Sequence, residues 1–127
     1  MRVEYLLDAS ALLAFLRRES GAGVVENLLP SCAISAVNLT EVLTKAIQKG
    51  LLAESAEETF YELGIPVLAL TSKEVHASLQ FAELAWQKGL SLGDRLCLAT
   101  AATQGLTVLT ADRQWPENIA VRVQKIR

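Results

Sequence analysis

The sequence predicts a single α/β domain covering residues 1–127, in which helices pack on both faces of a central parallel sheet of four to five strands. Short apolar segments alternate with longer helical segments along the whole chain, an order typical of a three-layer α/β/α arrangement. Hydrophobic residues make up 51% of the chain and aromatic residues only 6%, which favours helices on a sheet over an aromatic-rich sandwich. Because no repeat, low-complexity segment or linker interrupts this order, we expect one hydrophobic core.

The first half of the chain is predicted to form two strands and four helices. The strands cover residues 3–7 and 32–35, and the helices cover residues 9–18, 24–29, 36–49 and 55–63. Leu12, Leu13 and Leu16 recur at helical spacing in the first of these helices. Pro30 ends the second helix, and Gly50 follows the third at a position that favours a left-handed cap.

The second half of the chain is predicted to contain three further strands and two helices. The strands cover residues 65–70, 106–110 and 121–126, the last as an edge strand, and the helices cover residues 72–88 and 92–103. Pro66 stands near the start of its strand, where a missing N–H is tolerated. Thr71 or Ser72 is suited to begin the long helix, and Gly105 ends the helix after it.

Charge and cysteine content indicate an acidic protein of a reducing compartment. The net charge of −2 counts against a nucleic-acid binder, although a metal-binding nuclease concentrates acid at its site and can carry a local basic rim. Cys32 and Cys97 lie in apolar segments without metal-site spacing, so we expect small buried thiols. No secretion signal or membrane-spanning segment is recognisable in the sequence, and we expect a cytoplasmic protein.

Three aspartates are expected to meet at one edge of the sheet. Asp8 ends the first predicted strand and Asp112 follows the fourth, and the carboxyl ends of parallel strands form the edge at which such folds bind ligands. Asp94 stands in an otherwise apolar helix, where its carboxylate is expected to point along an apolar stripe. A buried charge of this kind is costly unless a cation such as a metal ion meets it.

Each acid also has a purely structural interpretation. Asp8 can cap the helix that follows it, Asp94 can interact with the dipole of its own helix, and Asp112 can form a turn. Glu41 lies one turn before Lys45, and periodicity alone allows a surface ion pair there as readily as a ligand. The functional interpretation therefore depends on three of the four acids pointing to the same end of one sheet.

Four carboxylates in one cleft require compensation by cations. Hard divalent ions prefer oxygen ligands, which suits Mg²⁺ or Mn²⁺, and two such ions about 3.5–4 Å apart can activate water and hold the leaving oxygen of a phosphodiester. The hydroxyls of Ser10 and Thr110, each two residues from an acid, are candidates to orient water or phosphate. His76 is the only histidine and is interpreted as a surface or packing residue, and no phosphate-binding loop motif is present. These features argue against histidine-based nucleases and P-loop enzymes.

Four sequence blocks resemble, in order, the conserved blocks of PIN domains. They are LLDASALLAFL, SAVNLTEVL, LSLGDRLCLATA and LTVLTADRQW, and the resemblance covers residues 3 to about 123. The chain is most similar to the VapC-type toxin ribonucleases of bacterial toxin–antitoxin pairs. By position, the resemblance assigns site roles to Asp8, Ser10, Glu41, Asp94, Thr110 and Asp112, with Asn38 as a weaker match that supports the site.

The resemblance implies a Mg²⁺- or Mn²⁺-dependent endoribonuclease that cuts single-stranded or looped RNA. It also implies a homodimer and a small antitoxin protein that blocks the site. The apolar segment 51–63 could then form part of an antitoxin groove or a dimer seam, or simply pack inside the domain. The candidates for an RNA-facing rim are Arg17, Arg18, Lys45, Lys49, Arg95 and Arg113.

Other α/β proteins with acids at strand ends fit the sequence less well. A haloacid dehalogenase-type phosphatase needs a second aspartate where this chain has Ser10, and a receiver domain needs paired acids and a late lysine near residues 106–112. Two alternatives stay open, namely a PIN-like nuclease that acts on DNA and a non-enzymatic α/β interaction module whose acids are caps and turn residues.

Overall fold

Five parallel strands form the sheet at the centre of residues 2–127, the part of the chain that the computed structural model describes. The strands are β1 (Tyr5–Leu7), β2 (Cys32–Ser35), β3 (Val67–Leu68), β4 (Thr107–Thr110) and β5 (Val123–Lys125). Their order across the sheet is β3-β2-β1-β4-β5, and every neighbouring pair is parallel. The chain thus builds outward from β1 to β3 and then returns to the other side of β1, so the strand order reverses between β1 and β4, where such folds bind ligands.

Seven α-helices and two short 3₁₀ helices connect the strands within residues 2–127. The α-helices are α1 (Ala9–Leu16), α2 (Ala22–Leu28), α3 (Ala36–Gln48), α4 (Ala53–Glu62), α5 (Ser72–Ala77), α6 (Ala82–Lys88) and α7 (Leu92–Gln104). The 3₁₀ helices are Leu29–Ser31 and Ser78–Phe81. None of the described helices is both long and apolar enough to cross a membrane.

The two faces of the sheet carry two separate hydrophobic clusters. Alternate strand residues point to opposite faces, so Leu7 packs with helices α1 to α4 on one face. Its neighbour Leu6 packs with α7 on the other face, together with Phe81 and Trp115. The predicted three-layer α/β/α arrangement with a parallel sheet is therefore confirmed.

The predicted long helix over residues 72–88 is wrong, because the chain forms a 3₁₀ helix between α5 and α6. This change of path brings Phe81 into the second cluster, where only 3% of its surface is exposed. Arg95 of α7 donates from Nε to the carbonyl oxygen of Ser78 at 2.9 Å, which satisfies an acceptor at the break.

The predicted strand over residues 65–70 is also shorter than expected. Only Val67 and Leu68 pair with β2, and Leu70 is exposed. Pro66 lacks an N–H but its carbonyl oxygen accepts from Ile34 at 3.0 Å, as a residue entering an edge strand can.

Candidate functional site

Asp8 lies directly after the central strand β1 and caps helix α1. Its Oδ1 accepts from the N–H of Ala11 at 2.8 Å and from the hydroxyl of Ser10 at 2.7 Å, and its Oδ2 accepts from the hydroxyl of Thr110 at 2.5 Å. The side chain is almost fully buried, and this burial raises the pKa of Asp8 to about 6 in spite of the hydrogen bonds, with a smaller contribution from the charge of Asp94. Asp8 thus has the capping role of its structural interpretation and lies at the end of the central strand, where the site is expected.

The hydroxyls of Ser10 and Thr110 join the end of β1 to the end of β4. Ser10 Oγ accepts from the N–H of Ala111 at 2.9 Å, Thr110 Oγ1 accepts from the N–H of Asp112 at 3.1 Å, and the two hydroxyl oxygens lie 3.3 Å apart. Since both hydroxyls donate to Asp8, the structure shows them holding that carboxylate in place.

Glu41 extends from α3 toward the start of α7. The buried amide of Asn38 donates from Nδ2 to Glu41 Oε1 at 2.7 Å, and the same nitrogen lies 3.4 Å from the carbonyl oxygen of Gly93. The alternative of an ion pair with Lys45 is not seen, because the salt bridges among residues 2–127 lie elsewhere. In the structure Glu41 is thus bound to a buried amide and not to a lysine.

Asp94 lies in the first turn of α7 and is only half-buried, so the expectation of a carboxylate along a buried apolar stripe is wrong. Asp94 and Ser91 form a capping box, in which Asp94 Oδ2 accepts from the N–H of Ser91 at 3.0 Å and Ser91 Oγ accepts from the N–H of Asp94 at 3.1 Å. A cap fixes the residue at the helix start, close enough to Asp8 to influence its pKa.

Asp112 is exposed in the loop that follows β4. Its Oδ1 accepts from the N–H of Gln114 at 2.9 Å, which is the turn-forming role that the structural interpretation predicts. Its backbone N–H reaches Thr110, whose hydroxyl in turn binds Asp8. Asp112 thus lies at the same edge of the sheet but is linked to the other acids only through this hydroxyl.

The charges of three of the four acids reach one buried thiol. Burial, and after it the charges of Asp8, Asp94 and Glu41, raises the pKa of Cys97 well above its usual value. The only sequence signal for this proximity is the position of Cys97, one turn after Asp94 on the same helix. In the described part of the chain, none of the four acids forms a salt bridge with a lysine or arginine.

The chemistry of these side chains fits a hard divalent cation, although their present orientations do not enclose one. The donors are all carboxylate oxygens, and their negative charge is not neutralised by any side chain within residues 2–127. Gly93 supports the fit, because a Cβ there would stand 2.5 Å from Glu41 Oε1, in the space that this carboxylate fills. Each acid is turned toward a local partner, and no three acidic, histidine or cysteine side chains of residues 2–127 converge on one point. Cation binding would thus require at least one of these carboxylates to turn away from its local partner.

A cavity of about 470 Å³ lies at the opposite edge of the sheet. It is lined by residues at or just before the starts of β1, β4 and β5, including Arg2, Tyr5 and Arg122. Because it contains none of the four acids, it does not coincide with the candidate site, which is defined by its charges and hydrogen bonds.

The fold and the acids together define an α/β protein with a carboxylate cluster where its strand order reverses. The model of the PIN domain family matches residues 5–120, and the chain belongs to this family. The comparison with curated protein sequences gives no match.

Solved structures of toxin–antitoxin complexes share this fold. A toxin–antitoxin complex from Klebsiella pneumoniae is 21% identical, with a TM-score of 0.77 over 98% of this chain and 98% of that chain. DNA-bound VapBC from Salmonella typhimurium is 19% identical, with a TM-score of 0.75 over 98% and 99%. VapBC-1 from nontypeable Haemophilus influenzae is 17% identical, with a TM-score of 0.75 over 98% and 98%. At these identities the similarity establishes the fold.

Proposed function

We propose that this PIN-domain protein is a Mg²⁺- or Mn²⁺-dependent endoribonuclease and the toxin of a toxin–antitoxin pair of the VapC type. The observation that carries the proposal is that Asp8, Glu41 and Asp94 lie on elements at the carboxyl edge of the sheet, that the charges of all three reach the buried thiol of Cys97, and that none is paired with a lysine or arginine. Membership of the PIN family and structural similarity to toxin–antitoxin complexes support it.

The residues that would hold the cation are Asp8, Glu41 and Asp94, with Asp112 at the rim. A bound divalent ion would polarise the phosphodiester and activate a water molecule, in a two-ion arrangement if both can be accommodated. The chain itself keeps Asp8 fixed through Ser10, Thr110 and the first turn of α1. This preorganisation leaves little side-chain freedom to be lost when a cation binds.

RNA would contact exposed basic side chains near the acid edge. Arg113 directly follows Asp112 and Lys45 lies one turn after Glu41, so these two are suited to contact phosphates at the site. Arg17, Arg18 and Lys49 are also exposed, but they lie at the far ends of α1 and α3 and would contact only a longer RNA. Arg95 differs from them, because its Nε is already bound to the carbonyl oxygen of Ser78 and its guanidinium is held in one direction.

The proposed partners are a small antitoxin protein and a second copy of the chain, acting in the cytoplasm. In segment 51–63 the side chains of Ala56 and Phe60 are buried, whereas Leu51, Leu52 and Tyr61 are exposed. The segment therefore combines internal packing with free apolar surface on which a partner could pack.

Purified protein incubated with a panel of transfer and ribosomal RNAs tests the proposal. We expect cleavage with Mn²⁺ or Mg²⁺, none in EDTA, and recovery when Mn²⁺ is restored. Cleavage that persists in chelator would contradict the metal-dependent mechanism. Single-stranded DNA in the same assay tests the alternative of a nuclease that acts on DNA.

A non-enzymatic interaction module is a second candidate, because three acids do perform local structural tasks. Asp8 caps α1, Asp94 belongs to a capping box and Asp112 forms a turn. Calorimetry with Mn²⁺ separates the two functions. A nuclease should bind the ion and lose binding in Asp8→Asn, whereas a module should show no binding in either protein.

A further inference from the structure

Gly93 is placed where only a residue without a side chain leaves room for the Glu41 carboxylate in its present position. A Cβ at position 93 would stand 2.5 Å from Oε1 and 2.6 Å from Oε2 of the Glu41 carboxylate, closer than real Cβ atoms approach. Gly93 itself is buried in the first turn of α7.

The backbone of α7 gives no reason for glycine at this position. Gly93 does not belong to the residues with positive φ, so an alanine could adopt the same backbone conformation. Glycine is also a poor helix former, and alanine is the best. Glycine at this position therefore lowers the stability of α7, but it allows the Glu41 carboxylate to approach the helix backbone.

Asn38 fixes the same carboxylate from the other side. Its side chain is 1% exposed, and its Oδ1 accepts from the hydroxyl of Ser35 at 2.9 Å, so its Nδ2 is directed to Glu41 Oε1 at 2.7 Å. The same Nδ2 lies 3.4 Å from the carbonyl oxygen of Gly93 and connects α3 to α7. The Glu41 carboxylate is thus confined between an amide donor and a surface without a side chain.

We propose that Gly93 and Asn38 are positioning residues that form a cradle for the Glu41 carboxylate and hold it beside Asp94 for a divalent cation. This inference rests on the proposed function, since it assigns the cradle to the same metal site. Neither residue would contact the ion. Both would act through the orientation of Glu41, as residues behind metal ligands commonly do.

The test is Gly93→Ala, with Gly23→Ala as the matched control. Gly23 lies in helix α2, and a Cβ there meets nothing within 4 Å. We expect Gly93→Ala to lower the Mn²⁺ affinity about 10–100-fold by calorimetry, because it displaces Glu41. The melting temperature of the metal-free variant should stay unchanged or rise, because alanine favours the helix. Gly23→Ala should leave the Mn²⁺ affinity unchanged.

A double-mutant cycle with Glu41→Gln shows whether Gly93 acts through Glu41. We expect Glu41→Gln to weaken Mn²⁺ binding, and Gly93→Ala to cause no further loss when Glu41 is already replaced. Equal losses in both backgrounds, unchanged affinity in Gly93→Ala, or a melting temperature that falls well below that of wild type would overturn the cradle. If wild-type protein binds no Mn²⁺ and cleaves no RNA, the proposed function fails together with the cradle. Wild-type binding and cleavage with an unaffected Gly93→Ala overturns the cradle alone.

Discussion

Two buried carboxylates in this molecule have the same exposed fraction, but their pKa values are shifted in opposite directions. Asp8 at the acid edge and Glu74 in α5 are each 3% exposed. Each accepts three hydrogen bonds, which for Glu74 come from the N–H and hydroxyl of Thr71 and from the hydroxyl of Thr103. Burial raises the pKa of Asp8 to about 6, whereas the hydroxyl of Thr71 is the main cause that lowers the pKa of Glu74.

The difference arises from depth and from neighbouring charge. Asp8 lies deep in the protein and near Asp94. Burial, and to a smaller extent the negative charge of Asp94, therefore disfavours its ionised form. Glu74 lies just beneath the surface, where its hydrogen bonds outweigh the loss of hydration, and it fastens α5 to Thr103 of α7. Glu74 thus has a structural role, whereas Asp8 is buried without a neighbouring positive charge to stabilise its ionised form.

The largest expected effect is on catalysis by Asp94→Asn. Asparagine keeps an oxygen that can accept from the N–H of Ser91, so the fold and the start of α7 should remain. On the proposed function, RNA cleavage should fall by more than about 100-fold, because a direct ligand matters at least as much as the residues behind it. Glu74→Gln serves as the control and should cleave RNA at the wild-type rate. Undiminished cleavage by Asp94→Asn, measured on folded protein, would remove Asp94 from the site.

The pH dependence of stability should distinguish the two carboxylates. An acid whose pKa is raised from 3.8 to about 6 by folding holds its proton more tightly in the folded state. Metal-free protein should therefore lose about 3 kcal/mol of stability through Asp8 as the pH rises from about 4 to 6. The lowered pKa of Glu74 has the opposite effect, since its contribution is present above pH 4.5 and is lost as the pH falls below that. Urea unfolding in EDTA at several pH values measures both contributions.

A variant of Asp8 shows whether this residue causes the pH dependence of the unfolding free energy. The difference in unfolding free energy between Asp8→Asn and wild type should grow in favour of the variant from pH 4 to 6 and then level off. A difference that stays constant with pH would show that Asp8 titrates normally in the folded protein.

Replacing Glu74 by glutamine should lower stability at neutral pH by about 2 kcal/mol. The charged acceptor of the Thr71 and Thr103 hydroxyls would become a neutral amide, and hydrogen bonds to charged groups contribute about 1.5–3 kcal/mol. Thermal or urea unfolding at pH 7 measures the change. Unchanged stability would mean that the link between α5 and α7 is dispensable.

The smallest expected effect is that of Ser10→Ala. Asp8 would keep the hydrogen bonds from Ala11 and Thr110 and lose one of three. Since one such bond contributes about 0.5–1.5 kcal/mol, RNA cleavage should fall by at most about tenfold. A complete loss of cleavage in a folded Ser10→Ala variant would instead give the hydroxyl a direct role in the reaction.

The order of helices and strands could be predicted because it depends on local patterns. Periodicity and the positions of glycine and proline gave all five strands and the position of Asp8 at the end of β1. The 3₁₀ helix at Ser78–Phe81 could not be predicted in this way. It depends on the packing of Phe81 and on the hydrogen bond from Arg95, a residue 17 positions later in the chain.

The sequence allowed the acidic residues of the candidate site to be predicted, but not the burial and contacts of those residues. Asp94 looked buried because its sequence neighbours are apolar, whereas the structure places it at an open helix start. The contact of Gly93 with Glu41 joins two helices that are distant in sequence, and no pattern within either helix encodes it. Contacts of this kind depend on how α3 and α7 pack, which only the folded chain determines.

The placement of β4 beside β1 controls when the acid edge can exist during synthesis. Thr110 follows Asp8 by 102 positions, yet its hydroxyl is one of the groups that hold the Asp8 carboxylate. A nascent chain that has emerged only as far as β3 contains Asp8 and Glu41 but lacks Asp94 and the strand that shields Asp8. On the proposed function, a nascent chain would be unable to cleave RNA until α7 and β4 had been synthesised.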